Sequence, residues 1–258
     1  MERTSNLIVE RNIDFARIEQ KTMKDWLPRT IMLDFYGTVV EEDDVPIGEI
    51  CGQISVASPL RVTAAEVGSH WGDVFHQLCY QSFGATFQSQ KELELISLQH
   101  ILQHFKADLD ARELSEVLYE YWAHPTIFPE SKEVLAQCRI PICLISNIDN
   151  AELQSALEYN NLHFDCVVTS EDCKAYKPRG EVFQKALSLV GLSRAEVLHV
   201  GDSFNSDVRG AKRQGIPVLW VNRKRKAVSS VDLAPDYIST DLTGLLNILG
   251  RKNTPDSV

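Results

Sequence analysis

Four short polar segments carry the residue types that chemistry needs. They are Asp34-Phe35-Tyr36-Gly37-Thr38, Ser146-Asn147, Lys177-Pro178 and the run from Gly201 through Asp202 and Ser203 to Asp207. An Asp followed by Gly-Thr presents a carboxylate to a pocket floored by free backbone N–H groups. A Ser-Asn pair offers a hydroxyl and an amide that hydrogen-bond an anionic group. Proline suits the first turn of a helix, which fixes the lysine just before it. Asp34, Asp202 and Asp207 bring three negative charges together and Lys177 brings one positive charge. Carboxylates that close repel and raise each other's pKa. A hard divalent cation relieves the repulsion, and Mg2+ suits carboxylate, carbonyl and water ligands. The expected substrate is then a small anionic molecule, and a phosphoryl group fits, because metal and lysine together neutralise its oxygens.

The elements around these segments must bring them to one place. Residues 30–34 (TIMLD), 141–146 (PICLIS), 164–169 (FDCVVT), 197–201 (VLHVG) and 217–221 (PVLWV) are apolar runs rich in β-branched residues, which read as buried strands. Helical patterns lie between them, over 131–138, 151–159, 181–190, 207–214 and 241–249. Asp149 and Asn150 are N-cap types, and Gly191, Gly215 and Gly250 stand at helix ends. Strand and helix alternating in this way predict right-handed βαβ units around a parallel sheet. Asp34, Ser146 and Asp202 then fall at carboxyl ends of strands, where open α/β sheets build their sites.

Residues 45–124 break the rhythm. Helical stretches over 63–81, 90–105 and 111–122 contain no strand, so an all-helical cap is expected, inserted after the first strand and its loop. The domain reading is an N-terminal extension over 1–28, an α/β core over 29–44 and 125–250, the cap over 45–124, and a flexible tail over 251–258. Residues 1–28 include enough apolar positions for a short helix.

Composition bounds the rest. The 258 residues carry a net charge of −10, which argues against general nucleic-acid binding and against anionic membrane surfaces. No run is long and apolar enough to span a bilayer, and the first residues lack a signal-peptide core. The six cysteines form no CxxC pair, so free, buried thiols in a cytoplasmic protein are expected.

The four segments, in this order, resemble the motifs of the haloacid dehalogenase superfamily. The likeness covers residues 30–38 and about 128–249, and the intervening helices resemble the inserted cap of many members. The resemblance implies a Rossmann-like α/β core and a hydrolase. It implies that Asp34 is the nucleophile of a covalent aspartyl intermediate. Ser146 would bind the substrate anion with Asn147 beside it, and Lys177 would orient the nucleophile and balance charge. Asp202 would be a direct Mg2+ ligand, with Asp207 on the ion or its water, the Tyr36 backbone carbonyl as a further ligand, and Thr38 supporting the loop.

One position departs from the phosphatases of this family. They usually carry a second Asp two residues after the nucleophile, which protonates the leaving group and activates water. This chain has Tyr36, and a phenol titrating near 10 is a poor base at neutral pH. The Asp-x-Tyr-Gly-Thr pattern is that of the 2-haloacid dehalogenases, whose halide leaves unprotonated. Gly201-Asp202-Ser203 points the other way, because dehalogenases commonly have Ser-Ser-Asn there and work without metal. They also want a cap arginine, and neither Arg61 nor Arg112 has the aromatic setting for it. The sequence favours a Mg2+-dependent phosphatase of a small phosphorylated metabolite. A dehalogenase-like hydrolase and a low-turnover member acting by binding are the alternatives.

Other features read as structural. His100 and His104, four apart with no HExxH pattern, suit a solvated helix face, and His70 does not share a face well with His76. Arg223-Lys224-Arg225-Lys226 suits a solvated loop. Trp71, Phe75, Tyr80, Phe83 and Phe87 suit helix packing, with lining of the substrate pocket as their other use.

Overall fold

The computed structural model describes residues 26–228 and 233–250. The expectations for residues 1–25 and for the tail over 251–258 lie outside the described residues. Six strands form one parallel sheet: β1 (Thr30–Leu33), β2 (Ile142–Ser146), β3 (Cys166–Thr169), β4 (Val197–Gly201), β5 (Val218–Val221) and β6 (Tyr237–Ser239), in the order β3-β2-β1-β4-β5-β6. The period-two side-chain alternation splits the core. Ile31 and Leu33 of β1 join Leu198 and Val200 of β4 on one face, while Met32 joins Val197 and Trp220 on the other. The chain runs from β1 outward in both directions. That places the switch in strand order between β1 and its neighbours, where such sheets leave a crevice at their carboxyl ends.

Five α-helices lie between β1 and β2, and the first four make the insertion: α1 (Asp44–Ala57), α2 (Ala64–Gln81), α3 (Gln90–Phe105) and α4 (Ala111–Ala123). Thr63 with Glu66 and Ser89 with Glu92 form capping boxes that start α2 and α3. The sequence reading found no helix over α1, although Ile50 and Ile54 make its buried stripe. The helices pack on the sheet as well as on each other, since Ile54, Trp71, Leu98 and Trp122 share one apolar cluster with Ile31 and Leu33.

The remaining helices are α5 (Ser131–Gln137), α6 (Asn150–Asn160), the single turn α7 (Ser170–Cys173), α8 (Gly180–Val190), α9 (Arg209–Arg213) and α10 (Thr243–Leu249). The helix expected over 207–214 is a π turn at Phe204–Val208 followed by α9. Asp149 starts α6 but does not cap it with its side chain. Its two carboxylate oxygens accept from the backbone N–H groups of Gln90 (2.8 Å) and Lys91 (3.0 Å) instead, so it caps α3 from across the fold. With the 2.9 Å Lys91–Glu152 ion pair, it fastens the helical insertion to the core.

Two further expectations are corrected. Cys143 and Cys166 are not free thiols. They are register partners on β2 and β3, with Cα atoms 4.4 Å apart, and form a disulfide. The basic run after β5 is a solvated loop at Lys224, Arg225 and Lys226, which are exposed, but not at Arg223. The Arg223 guanidinium donates to the carbonyl oxygens of Thr38 (2.8 Å) and Gly37 (3.2 Å), pairs with Glu130 at 2.7 Å and lies over the Phe128 ring.

Candidate active site

Three of the polar segments sit at or just beyond a strand end, the Lys177 segment follows α7 after β3, and the four converge. Asp34 follows β1, Ser146 closes β2, and Asp202 follows β4. Lys177 Nζ lies 2.6 Å from Asp34 Oδ1 and 2.7 Å from Asp207 Oδ1, and also donates to the Ile145 carbonyl at 3.2 Å. Its three N–H donors are thus all used, which fixes a flexible side chain in one place. Thr38 Oγ1 donates to Asp34 Oδ2 at 3.0 Å. Asn147 holds the lysine from behind: its Oδ1 accepts from Lys177 N at 2.7 Å and its Nδ2 donates to Lys177 O at 3.1 Å. Its amide is therefore engaged with the main chain, while Ser146 and Asn147 both line the cavity.

Asp207 and Asp202 stand in different situations. Asp207 Oδ1 also contacts His199 Nε2 at 3.0 Å, and its Oδ2 accepts from Ser203 N at 2.9 Å. Burial opposes its ionisation, but the Lys177 ammonium and the His199 hydrogen bond outweigh that and hold it well below the usual carboxylate range. Asp202 is positioned through its backbone, whose carbonyl accepts from Trp220 Nε1 at 2.7 Å. Its carboxylate lies against Gly37. A Cβ at that glycine would sit 2.6 Å from Asp202 Cγ, and the φ of +79° disfavours other residues there too. Burial, then the negative charges of Glu42, Asp34 and Asp207, push the Asp202 carboxyl well above its ordinary value. Burial likewise pushes Asp34 up to about 7, against the pull of Lys177.

One oxygen from each of Asp34, Asp202 and Asp207 lies within 4.8 Å of the others. This is a hard-donor set carrying more negative charge than one lysine balances, and it fits a divalent cation. The Tyr36 phenol, by contrast, points to the insertion and donates to the Trp122 carbonyl. Burial raises its pKa well above 10, so it stays protonated.

A cavity of about 560 Å³ opens over these groups. Trp71, Phe75 and Tyr80 line it, as the alternative reading of the cap aromatics expected, while Phe83 and Phe87 do not. Phe83 lies under the Arg179 guanidinium and Phe87 stacks on Tyr176. Arg61 and Arg112 are exposed and outside the cavity. Three contributors were missed in the sequence: His199, hidden in an apolar strand; Arg223, which braces the Asp34 loop; and Glu94, a buried acid on the cavity wall. Only His199 left a signal, as a lone polar residue inside VLHVG.

A paired Asp and Lys lie at the carboxyl edge of a parallel sheet, roofed by inserted helices, in an α/β protein of the hydrolase class. The chain belongs to the haloacid dehalogenase-like hydrolases, whose family model matches residues 28–215. It is 25% identical over 226 residues to an (S)-2-haloacid dehalogenase of Pseudomonas sp. strain YL, covering 84% of this chain and 93% of that one. It is 27% identical over 233 residues to the pyrophosphatase PpaX of Bacillus velezensis, covering 89% and 100%. Its fold is similar to that of an L-2-haloacid dehalogenase from Xanthobacter autotrophicus, with a TM-score of 0.67 and 18% identity over 89% of this chain and all of that one. Relatives of both chemistries flank it, and no helix among the described residues is long and apolar enough to cross a membrane.

Proposed function

We propose that this hydrolase is a Mg2+-dependent phosphatase that acts on a small phosphorylated metabolite in the cytoplasm through an aspartyl-phosphate intermediate. The observation that carries the reading is Asp202. Its carboxylate accepts no hydrogen bond among the described residues and lies within 4.8 Å of two further carboxylates, an arrangement that is costly without a cation. Mg2+ would be held by Asp34, Asp202, Asp207 or its water, and the Tyr36 carbonyl, and would supply charge neutralisation for a phosphoryl group.

In this reading, Asp34 attacks phosphorus, the P–O bond to the leaving group breaks, and water then cleaves the aspartyl phosphate. Lys177 and Thr38 each hold one Asp34 oxygen and set its direction. Ser146 binds a phosphoryl oxygen, and Asn147 keeps Lys177 in register. The aromatic wall formed by Trp71 and Phe75 contacts the rest of the substrate, and a cavity of this size suits a single small molecule.

A dehalogenase reading is favoured by one observation, the replacement of a proton-carrying Asp by Tyr36 with its hydroxyl tied to Trp122. Neither arginine of the helical insertion, Arg61 or Arg112, lines the cavity, which weighs against it, and the arginines that do line it, Arg179 and Arg213, come from the core. A panel of phosphate esters and a panel of 2-haloalkanoates, each with Mg2+ and with chelator, separates the two. Phosphate release that chelator and Asp34→Asn both abolish is the expected result. Halide release that persists with chelator would replace the phosphatase reading. No turnover of either panel would leave the chain as a binding member of the family.

A further inference from the structure

His70 on α2 meets His100 and His104 on α3, and one ring nitrogen of each lies within 4.8 Å of the others. The expectation of a merely solvated helix face for His100 and His104 is incomplete, because the facing helix supplies a third imidazole. The ring centroids of His70 and His104 are 4.2 Å apart, and those of His70 and His100 are 6.1 Å apart. Phe105 closes one side, edge-on to both His70 and His104. His70 Nε2 is buried and has no hydrogen-bond partner. A buried nitrogen without a partner is costly, and native structures rarely leave one without a reason.

We infer that these three histidines form a transition-metal site, of the Zn2+ class, that fastens α2 to α3. Three neutral imidazoles are borderline donors, which suit Zn2+, Co2+ or Ni2+ and not Mg2+. Ligand nitrogens around a tetrahedral Zn2+ stand about 3.3 Å apart. The exposed side chains of His100 and His104 can close the remaining distance by rotating toward the half-buried His70. The i, i+4 pair supplies a chelate from one helix and His70 supplies the cross-link, leaving a fourth position for water. None of the three lines the active-site cavity, so the site is separate from the Asp34, Asp202 and Asp207 cluster. It joins the same two helices that carry Trp71, Phe75 and Glu94 into that cavity. The inference does not rest on which reaction the active site catalyses.

The test uses the untagged full chain in large excess Mg2+, which competes with Zn2+ for the carboxylate cluster by mass action. Zn2+ is titrated calorimetrically and Co2+ by visible absorption, with His100→Asn and His104→Asn as variants at exposed positions. The expected result is one Zn2+ per chain, a Co2+ spectrum of low-coordinate nitrogen ligation, and affinity weakened on the order of a hundredfold or more in each variant. Zn2+ should also raise the unfolding midpoint of the natural chain and leave that of the variants unchanged. Failure to bind Zn2+ in excess Mg2+, or equal affinity in the variants and the natural chain, would overturn the inference.

Discussion

The Tyr36 hydroxyl donates to the Trp122 carbonyl, joining the loop that carries Asp34 to the last helix of the insertion. The residue that stands where a phosphatase keeps its proton carrier is thus occupied structurally. Tyr36→Asp should raise phosphate release from the natural level by about tenfold to a hundredfold, with alkyl esters gaining more than nitrophenyl esters, because a poor leaving group needs the proton more. Steady-state kinetics on the two ester classes checks this. No gain on either class would mean that proton transfer does not limit the reaction.

Lys177 stands between two buried carboxylates. In the metal-free chain, Lys177→Met leaves Asp34 and Asp207 facing each other without a cation. Breaking a buried pair in this way costs about 3–5 kcal/mol. If Asp34 attacks the substrate as proposed, turnover should fall by about two orders of magnitude or more, since its oxygen loses its alignment. Adding Asp207→Asn removes one of the two uncompensated charges. The double variant should therefore recover part of the lost stability while staying inactive, a non-additivity that denaturant titration measures directly. Strict additivity would deny the coupling.

Arg223 braces the loop after Asp34 from outside. Its bonds to the Gly37 and Thr38 carbonyls carry charge, and removing such bonds costs about 1.5–3 kcal/mol. Arg223→Ala should lower both the melting temperature and kcat. Arg223→Lys should rescue little, because one ammonium cannot reproduce a planar fork that serves two carbonyls, Glu130 and the Phe128 ring together. Full rescue by lysine would reduce the arginine to a surface charge.

Much of this was legible because parallel strands buried on both faces print as unbroken apolar runs, as in TIML, ICLIS and VLWV. The polar residues that end them stood out by contrast, which is why Asp34, Ser146 and Asp202 could be found. What failed to show was local weakness or distant pairing. β6 is three half-buried residues, and α1 contains Pro46, Gly48 and Gly52, which obscure a helical pattern. Asp149 looks like the cap of its own helix and caps another. The meeting of Cys143 with Cys166, of His70 with His104, and of Arg223 with Thr38 is set by register and packing, which spacing along the chain does not encode.

Glu94 gives the fold a pH dependence of its own. It lies buried on α3 against the cavity, with Ser97 Oγ, itself bonded to Trp71 Nε1, near its carboxylate. Burial, reinforced by the charge of Asp43, pushes its carboxyl up to about 8 from an ordinary 4.5. Below about pH 4.5 the folded and unfolded chains both hold the proton, so nothing is lost. As pH rises toward 8, the unfolded chain releases the proton while the folded chain retains it or buries a charge, so stability falls through that window. Glu94→Gln has no proton to release. Its stability should match that of the natural chain near pH 4 and exceed it by up to a few kcal/mol near pH 8. Urea unfolding across that range decides the matter. A difference that stays flat, or that grows toward acid, would show that Glu94 is not held protonated in the folded protein.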